Sequence, residues 1–412
     1  MTLNNLIKKH GEPDALIDHW DKTSKSFAIW GLEESFLIDF EGKAFYNKSY
    51  IPGEMFEIFQ NVLDSWKNNK AQVSAIGYIS YDIKNFLYPS IKFKKINKSY
   101  PLLWFAKPKR VISYTPTINK KNNTIPYIKQ IKDIPSKEEY KRSIDLIKSF
   151  LKKGESYQIN FTNPKQYLIN KKAFETYFSL SNIIKPHYGM YLNCGSFQIL
   201  SFSPERFFKT SNHYIESYPM KGTRPRSNNK LYDKILVQEL LNSQKDLSEH
   251  LMIVDLIRND IGKICEYGSV SAKNLFEIKS FETIHQMVST IKGKLSLNIN
   301  ETQILKALFP GGSITGAPKE RSMKIIDDLE NYQRNIYTGS LGYILPNGNM
   351  DFNIAIRTMT LDKNKATYPV GGGIVWDSNY IEEWKEAQHK SRILELSNKL
   401  SKKINNDLLI YN

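Results

Sequence analysis

Cysteine is almost absent from this chain: two residues, Cys194 and Cys265, among 412. Two thiols cannot build a disulfide framework. Neither lies in a C-x-x-C or other metal-ligand spacing, which excludes a cysteine-built zinc site. Long apolar runs are missing too. None approaches the roughly 18 residues of a membrane span, and the opening MTLNNLIKKH lacks the apolar stretch of a secretory signal. No G-x-x-x-x-G-K-[ST] phosphate loop occurs, and no tandem repeat. Acidic residues are outnumbered, 42 against 58 Lys plus Arg, for a formal charge of +16. The lysines come in short clusters such as Lys94-Lys95 and Lys120-Lys121, interleaved with Asn and Ile. That is a compositional bias spread over solvated loops, not the long basic block of a nucleic-acid arm. These absences describe a soluble, cytoplasmic protein with no membrane or nucleic-acid partner.

What is present suits a large core: 41% hydrophobic and 12% aromatic residues. At roughly 150 residues per domain the length fits two or three domains, or one intertwined body. Residues 1–125 read as strand-rich. Phe27–Gly31 and Ser35–Phe40 are β-like runs divided by Glu33-Glu34, residues 54–66 have helical spacing, and Val73–Asp82 reads as a buried strand containing Gly77. The polar stretch 119–131 is the best junction, so 1–125 and 126–412 are taken as two regions of one body. Ser136 and Glu139 predict a capping box opening a helix that stops at Gly154. Strands are expected at 197–203, 206–210 and 214–218, and helices at 231–261, 301–308, 319–329 and 380–402. A hairpin over 335–361 should turn at Pro346-Asn-Gly-Asn349, where Asn-Gly suits a type I′ turn. Strand runs mixed with non-alternating helices predict an α+β fold.

Three constellations carry possible chemistry. Asp246 and Glu249 lie at i, i+3 on one helix face, which continues into Ile253 and Leu256. Glu383 and Glu386 repeat the spacing, with Lys390 four residues beyond Glu386. Two helices with paired carboxylates suit an oxygen-seeking cation such as Mg²⁺; ordinary surface helices with ion pairs share the pattern. Glycines at Gly311-Gly312 and Gly371-Gly372-Gly373 expose backbone N–H groups, the first ahead of a helix, as an anion site would need. Finally, Glu205 follows one expected strand and Lys221 ends another, flanked by Pro219 and Gly222. Such a Lys can act as a nucleophile once its pKa falls, and such a Glu as a general acid; a salt bridge at a turn is the plainer reading.

Those residues closely resemble the chorismate-utilising enzymes. Ser203-Pro-Glu-Arg206, Asp255-Leu-Ile-Arg-Asn-Asp260, Pro310-Gly-Gly-Ser-Ile-Thr-Gly-Ala-Pro-Lys319, Ile354-Ala-Ile-Arg-Thr358 and Gly371-Gly-Gly-Ile-Val375 appear in the family's order. The resemblance covers about residue 136 to the end, and Ala75–Asp82 extends it toward the N-terminus. It implies an anthranilate synthase component I-like fold. Within the family, Pro219-Met-Lys-Gly-Thr223 looks like the aminodeoxychorismate synthases. Anthranilate synthases, the alternative, carry Ala where Lys221 stands. Gln158 stands where isochorismate and salicylate synthases carry a Lys base, and Asn160 is typical of the aminodeoxychorismate group.

The resemblance implies amination of chorismate at C4 toward para-aminobenzoate and folate. It makes Lys221 the nucleophile and Glu205 the acid. Glu249 and Glu386 hold Mg²⁺, with Asp246 and Glu383 behind them. Gln158, Thr315, Tyr343, Arg357, Gly372, Gly373 and Lys390 meet the substrate. Relatives place a His where Gln286 stands here, with His285 one residue earlier. The Leu-Leu-Glu-Ser feedback motif survives only as Leu32-Glu-Glu-Ser35, so tryptophan regulation is not expected. Neither Cys has the Gly-rich setting of an amidotransferase, so ammonia is expected from a separate glutamine amidotransferase subunit. No fused lyase domain is expected either.

Overall fold

The computed structural model describes residues 2–394 apart from 22–23, 68–69, 97–99, 118–125, 282–283 and 393. Its strands form one continuous antiparallel ladder that folds over on itself. Two long strands, Ser26–Ile38 and Leu103–Tyr114, pair along most of their length and serve both halves of the ladder. One end of Ser26–Ile38 meets Ala15–Asp18, and the other meets Ala44–Tyr46. The two runs expected around Glu33-Glu34 are therefore one strand. Its register shifts between Leu32 and Glu34, beside a left-handed Gly31 (φ 73°).

Strand alternation sorts the side chains into layers. Ile17, Ile29, Trp104, Leu192, Ile199, Leu341 and Tyr343 point into a core shared by the two halves of the ladder. Their neighbours Leu16, Ala28, Leu200 and Phe202 point the other way, against Phe174, Tyr177 and Leu180 of the Ala173–Ile184 helix. On the far half, Phe36, Phe105, Phe208 and Phe352 meet helices Met55–Trp66, Gln244–Gly262 and Glu301–Leu308. The result is helix, sheet, sheet, helix: the expected α+β class.

The two regions are interwoven. Ala15–Asp18 pairs with Tyr188–Asn193, and Ala75–Ile79 pairs with Ser340–Ile344. Gly77 is required there, since a Cβ would fall 2.1 Å from the Trp104 carbonyl. Most of the expected junction lies outside the described residues, and its last part is the strand Ile128–Lys132.

The Ser136 capping box is present, and its helix runs Lys137–Lys152. The expected helix 231–261 is two, Lys230–Asn242 and Gln244–Gly262, because Ser243 ends the first and caps the second. The hairpin Ser340–Ile344/Met350–Asn353 does turn at Pro346–Asn349, but not as type I′: of the two, only Gly348 has positive φ. Gly348 N–H bonds Leu345 O and Leu345 N–H bonds Asn349 O, so Pro346 leads the turn and the left-handed Gly closes it. The chain then leaves the hairpin; Thr358–Asp362 is a separate strand paired with Gln198–Ser203. The last helix is described over 380–392, and its expected extension to 402 lies outside the described residues.

Candidate active site

A cavity of about 560 Å³ opens between the Gln244–Gly262 helix, the 380–392 helix and strands Met220–Pro225 and Lys365–Ile374. It gathers Glu205, Lys221, Asp246, Glu249, Arg357, Gly372, Gly373, Glu383, Glu386 and Lys390. Residues nearly two hundred positions apart in sequence thus share one space.

Lys221 stands where its strand is irregular. The register against Ile284–Lys294 shifts between Lys221 and Thr223, and Gly222 is left-handed (φ 68°). The irregularity aims the side chain inward, and its Nζ donates to Gln158 Oε1 at 3.3 Å. Burial lowers the Lys221 pKa, opposed by the fields of Glu249 and Glu205 and assisted by Lys390. Gln158 is wholly buried behind Gly373, and its Nε2 has no hydrogen-bond partner among the described residues.

Glu205 follows the Gln198–Ser203 strand. It accepts from Ser313 Oγ at 2.9 Å. Burial raises its pKa to about 7, against the lowering effect of Ser313 and Lys221. The site thus holds a carboxyl that keeps its proton near neutrality beside an amine pushed toward losing its own.

The four remaining carboxylates are not equivalent. Asp246 is held by Arg224 at 2.9 Å. Glu383 accepts from Ser378 Oγ at 2.7 Å, and burial raises its pKa. Glu386 pairs with Lys390 at 2.8 Å, which lowers its pKa. Burial raises the Glu249 pKa, and Glu386 and Asp246 add to the rise. Lys390 Nζ also donates to Gly371 O at 2.6 Å. A Cβ on Gly372 would lie 3.3 Å from Lys390 Nζ and 3.8 Å from Glu386 Oε1, so that glycine keeps the cavity floor clear.

Among the described residues no three His, Cys, Asp or Glu side chains gather into a metal cage. The donor set still fits Mg²⁺, which usually takes one or two carboxylates and completes its shell with water and substrate. Glu249, on one helix, feels the charge of Glu386 on the other. The lining cations Lys221, Arg224, Lys245, Arg357 and Lys390 match the carboxylates Glu205, Asp246, Glu249, Glu383 and Glu386 one for one. A dianionic ligand would upset that balance, and a dication would restore it.

Three expected substrate contacts do not line the cavity, and the first is Gln158, wholly buried behind Gly373. Thr315 is buried in the wall, its hydroxyl turned back to the carbonyls of Gly311 and Gly312. Tyr343 lies in the core between the sheet halves, its ring edge-on to Phe27 at 5.9 Å. Alternation along Ser340–Ile344 turns it there. Tyr337 and Tyr368 line the cavity instead. The first glycine pair also differs from expectation. Gly311 and Gly312 face Ile354 and Leu256; Gly312–Ile314 forms only a short 3-10 turn, and the next α-helix starts at Lys319. Of that motif, Ser313 and Ile314 reach the cavity. His285 is bound to Asp233 and Ser280 at 2.9 and 2.8 Å, whereas Gln286 lines the cavity. Arg224, Lys245 and Ser313 were missed, although each lies inside or beside a segment already singled out.

Comparison with known proteins gives the class to which this fold belongs. Residues 16–395 match the profile described as chorismate binding enzyme, and the chain belongs to that family. It is 34% identical over 333 residues to anthranilate synthase component 1 of Saccharolobus solfataricus, covering 78% of this chain and 79% of that protein. It is 42% identical over 257 residues to aminodeoxychorismate synthase component 1 of Salmonella typhimurium, covering 62% of this chain and 57% of that protein. The match therefore spans little more than half of the second relative. Anthranilate synthase component I from Streptococcus pneumoniae shares the fold, with a TM-score of 0.78 at 22% identity over 90% of this chain and 92% of that one.

Proposed function

We propose that the chain aminates chorismate at C4, giving 4-amino-4-deoxychorismate, as an aminodeoxychorismate synthase component. The observation that carries this reading is the amine–acid pair in one cavity: Lys221 with a lowered pKa beside Glu205 with a raised one.

Glu205 gives its proton to the C4 hydroxyl, which leaves as water. The Lys221 amine, held toward the ring by Gln158, attacks C2 as both ring double bonds shift toward C4 and the C4–O bond breaks. Ammonia then attacks C4, both double bonds shift back, the C2–N bond breaks so that Lys221 leaves as the neutral amine, and the new C4 ammonium returns a proton to the Glu205 carboxylate. Arg357, Lys390 and the Gly372 and Gly373 backbone hold the two carboxylates. Magnesium bound at Glu249 and Glu386, with Asp246 and Glu383 behind them, would supply fixed positive charge for the ring carboxylate.

Ammonia comes from a partner glutamine amidotransferase subunit. Burial holds both thiols protonated, Cys194 far above its usual pKa and Cys265 at about 11, so neither is an activated nucleophile. The name "component 1" of the relatives fits a two-part enzyme. A cytoplasmic setting fits the free thiols, and no described helix is long and apolar enough to cross a membrane.

The second reading is anthranilate synthesis, favoured by the longer match to the Saccharolobus protein. Incubation with chorismate, MgCl₂ and an ammonium salt, followed by product mass, separates the two. Aminodeoxychorismate keeps the enolpyruvyl group and anthranilate has lost it. Anthranilate as the main product would overturn the proposal.

A further inference from the structure

The last helix brings Glu383, Glu386 and Lys390 to the cavity, yet little apolar surface holds it in place. Among residues 380–392 only Ala387 and Ser391 are buried. Its seat is polar. Lys165, on the strand Gln158–Ile169, is wholly inaccessible to solvent. Its Nζ donates to Gln388 Oε1 at 2.6 Å and to Ser391 Oγ at 2.7 Å, and it lies 3.2 Å from Asp133 Oδ1. The bonds from Trp384 Nε1 to Pro135 O and from Tyr368 Oη to Lys390 O are longer, both 3.3 Å. Lys390 Nζ on Gly371 O is as short, at 2.6 Å, but that amine belongs to the cavity lining.

Gln388 and Ser391 are three residues apart and share a helix face, while Glu383, Glu386 and Lys390 recur at i, i+3 and i+7 on another. Lys165 therefore grips a face other than the one that lines the cavity. Burying a lysine is costly, and an apolar side chain of similar length would fill the same place at lower cost. What the apolar side chain lacks is direction, because hydrophobic contact is non-directional. Two short donated hydrogen bonds fix how far the helix is turned about its own axis. That turn matters at the cavity. A rotation of roughly 10° moves a side-chain tip by about 1 Å at the roughly 5–6 Å outer radius of a helix, whereas a metal–ligand distance must be right within about 0.2 Å.

We propose that Lys165 is a positioning residue: it sets the rotation of the 380–392 helix, and through it the placement of Glu386 and Glu383 for Mg²⁺. The inference rests on the metal reading and adds to it a residue that does not itself line the cavity.

Lys165→Met removes the amine and keeps the length. It strands no buried charge, since Asp133 is half-exposed and Ser391 Oγ keeps its bond to Gln388 O. Ser391→Ala removes one end of the grip. Mg²⁺ binding is read by isothermal titration calorimetry with saturating chorismate and no nitrogen source, so that nothing turns over. The Mg²⁺ Kd should rise about tenfold in Lys165→Met and about threefold in Ser391→Ala, with the metal-free thermal midpoint of both near wild type. The double variant should bind Mg²⁺ like Lys165→Met alone, because both changes break the same contact. A Kd equal to wild type in either single variant overturns the proposal, and so does a double variant in which the two losses multiply. Weaker binding in step with a lowered midpoint in both single variants also overturns it, since that is what a loss of structure gives. If the wild-type protein binds no Mg²⁺ under these conditions, the metal reading fails and this inference falls with it.

Discussion

The molecule buries charge in two ways. Arg334 has four acceptor groups, Glu330, Asn160 O, Ile314 O and Thr338 Oγ1, and every donor direction it offers inward is used. Lys221 reaches one amide oxygen at 3.3 Å, and Glu205 accepts from one hydroxyl at 2.9 Å. The first arrangement holds the fold in one state, because breaking it strands a charge. The second leaves both groups short of partners, with pKa values drawn toward each other. A fully partnered buried charge therefore reads as structural, and an under-partnered one as available for reaction.

Lys221→Ala tests that contrast most severely. Amination should fall by on the order of 10³-fold or more, while the melting temperature holds or rises because a desolvated amine is removed. Arg334→Met should do the reverse, losing about 3–5 kcal/mol of stability as Glu330 is left alone. Denaturant unfolding of both variants reads the difference. Wild-type turnover in the Lys221 variant, or an unshifted midpoint in the Arg334 variant, would break the distinction.

The metal prediction concerns Glu249, which has no ion pair among the described residues, and Glu386, whose partner Lys390 also donates to Gly371 O. Glu249→Gln and Glu386→Gln should each raise the MgCl₂ concentration for half-maximal activity by at least about tenfold. Asp246→Asn should act less through the metal, since Arg224 already holds that carboxylate. Full wild-type activity in excess chelator would remove Mg²⁺ from the site.

Glu205 gives a prediction with a definite sign. Its folded pKa is about 7 and its ordinary value 4.5, so the folded state binds the proton more tightly. The resulting stability is complete below about pH 4.5 and is lost as pH rises through 7. Glu205→Gln removes that loss. The variant should gain on wild type by up to about 3 kcal/mol between pH 5 and pH 8.5, while its amination rate drops. A difference between the two proteins that does not change with pH would show that Glu205 is not a protonated buried acid.

Much of this site was legible because the motifs are local. Glu249 and Glu386 could be placed on helix faces from spacing alone, and the Ser136 capping box needs only four residues. Tyr343 was misplaced for a reason no local pattern supplies. A strand gives each residue one of two faces, and which face meets the cavity depends on how the ladder folds over. Thr315 failed similarly, since its hydroxyl found carbonyls of its own turn before it could find a ligand. The interweaving of the N-terminal strands with Tyr188–Asn193 and Ser340–Ile344 is long-range pairing, and composition carries no sign of it.

The two glycine segments yield the finest test. Both read as backbone cradles for an anion, yet a methyl group would meet different surroundings in each. On Gly312 it would fall 2.6 Å from Leu256 Cδ2 and 2.9 Å from Leu256 Cγ, against one apolar side chain. On Gly372 it would meet Lys390 Nζ at 3.3 Å, at the edge of open space. Gly312→Ala should therefore cost about 1–3 kcal/mol from overpacking and leave the chorismate KM alone. Gly372→Ala should shift stability by no more than about 0.5 kcal/mol, since that glycine lies in a strand without positive φ. Its chorismate KM should rise about threefold as the methyl group displaces the Lys390 ammonium that would hold a carboxylate. The two variants thus separate a packing glycine from a ligand-facing one, read by thermal melts and initial rates on the same preparations. Equal changes in stability and KM in both would mean that the cavity floor does not meet the substrate at Gly372.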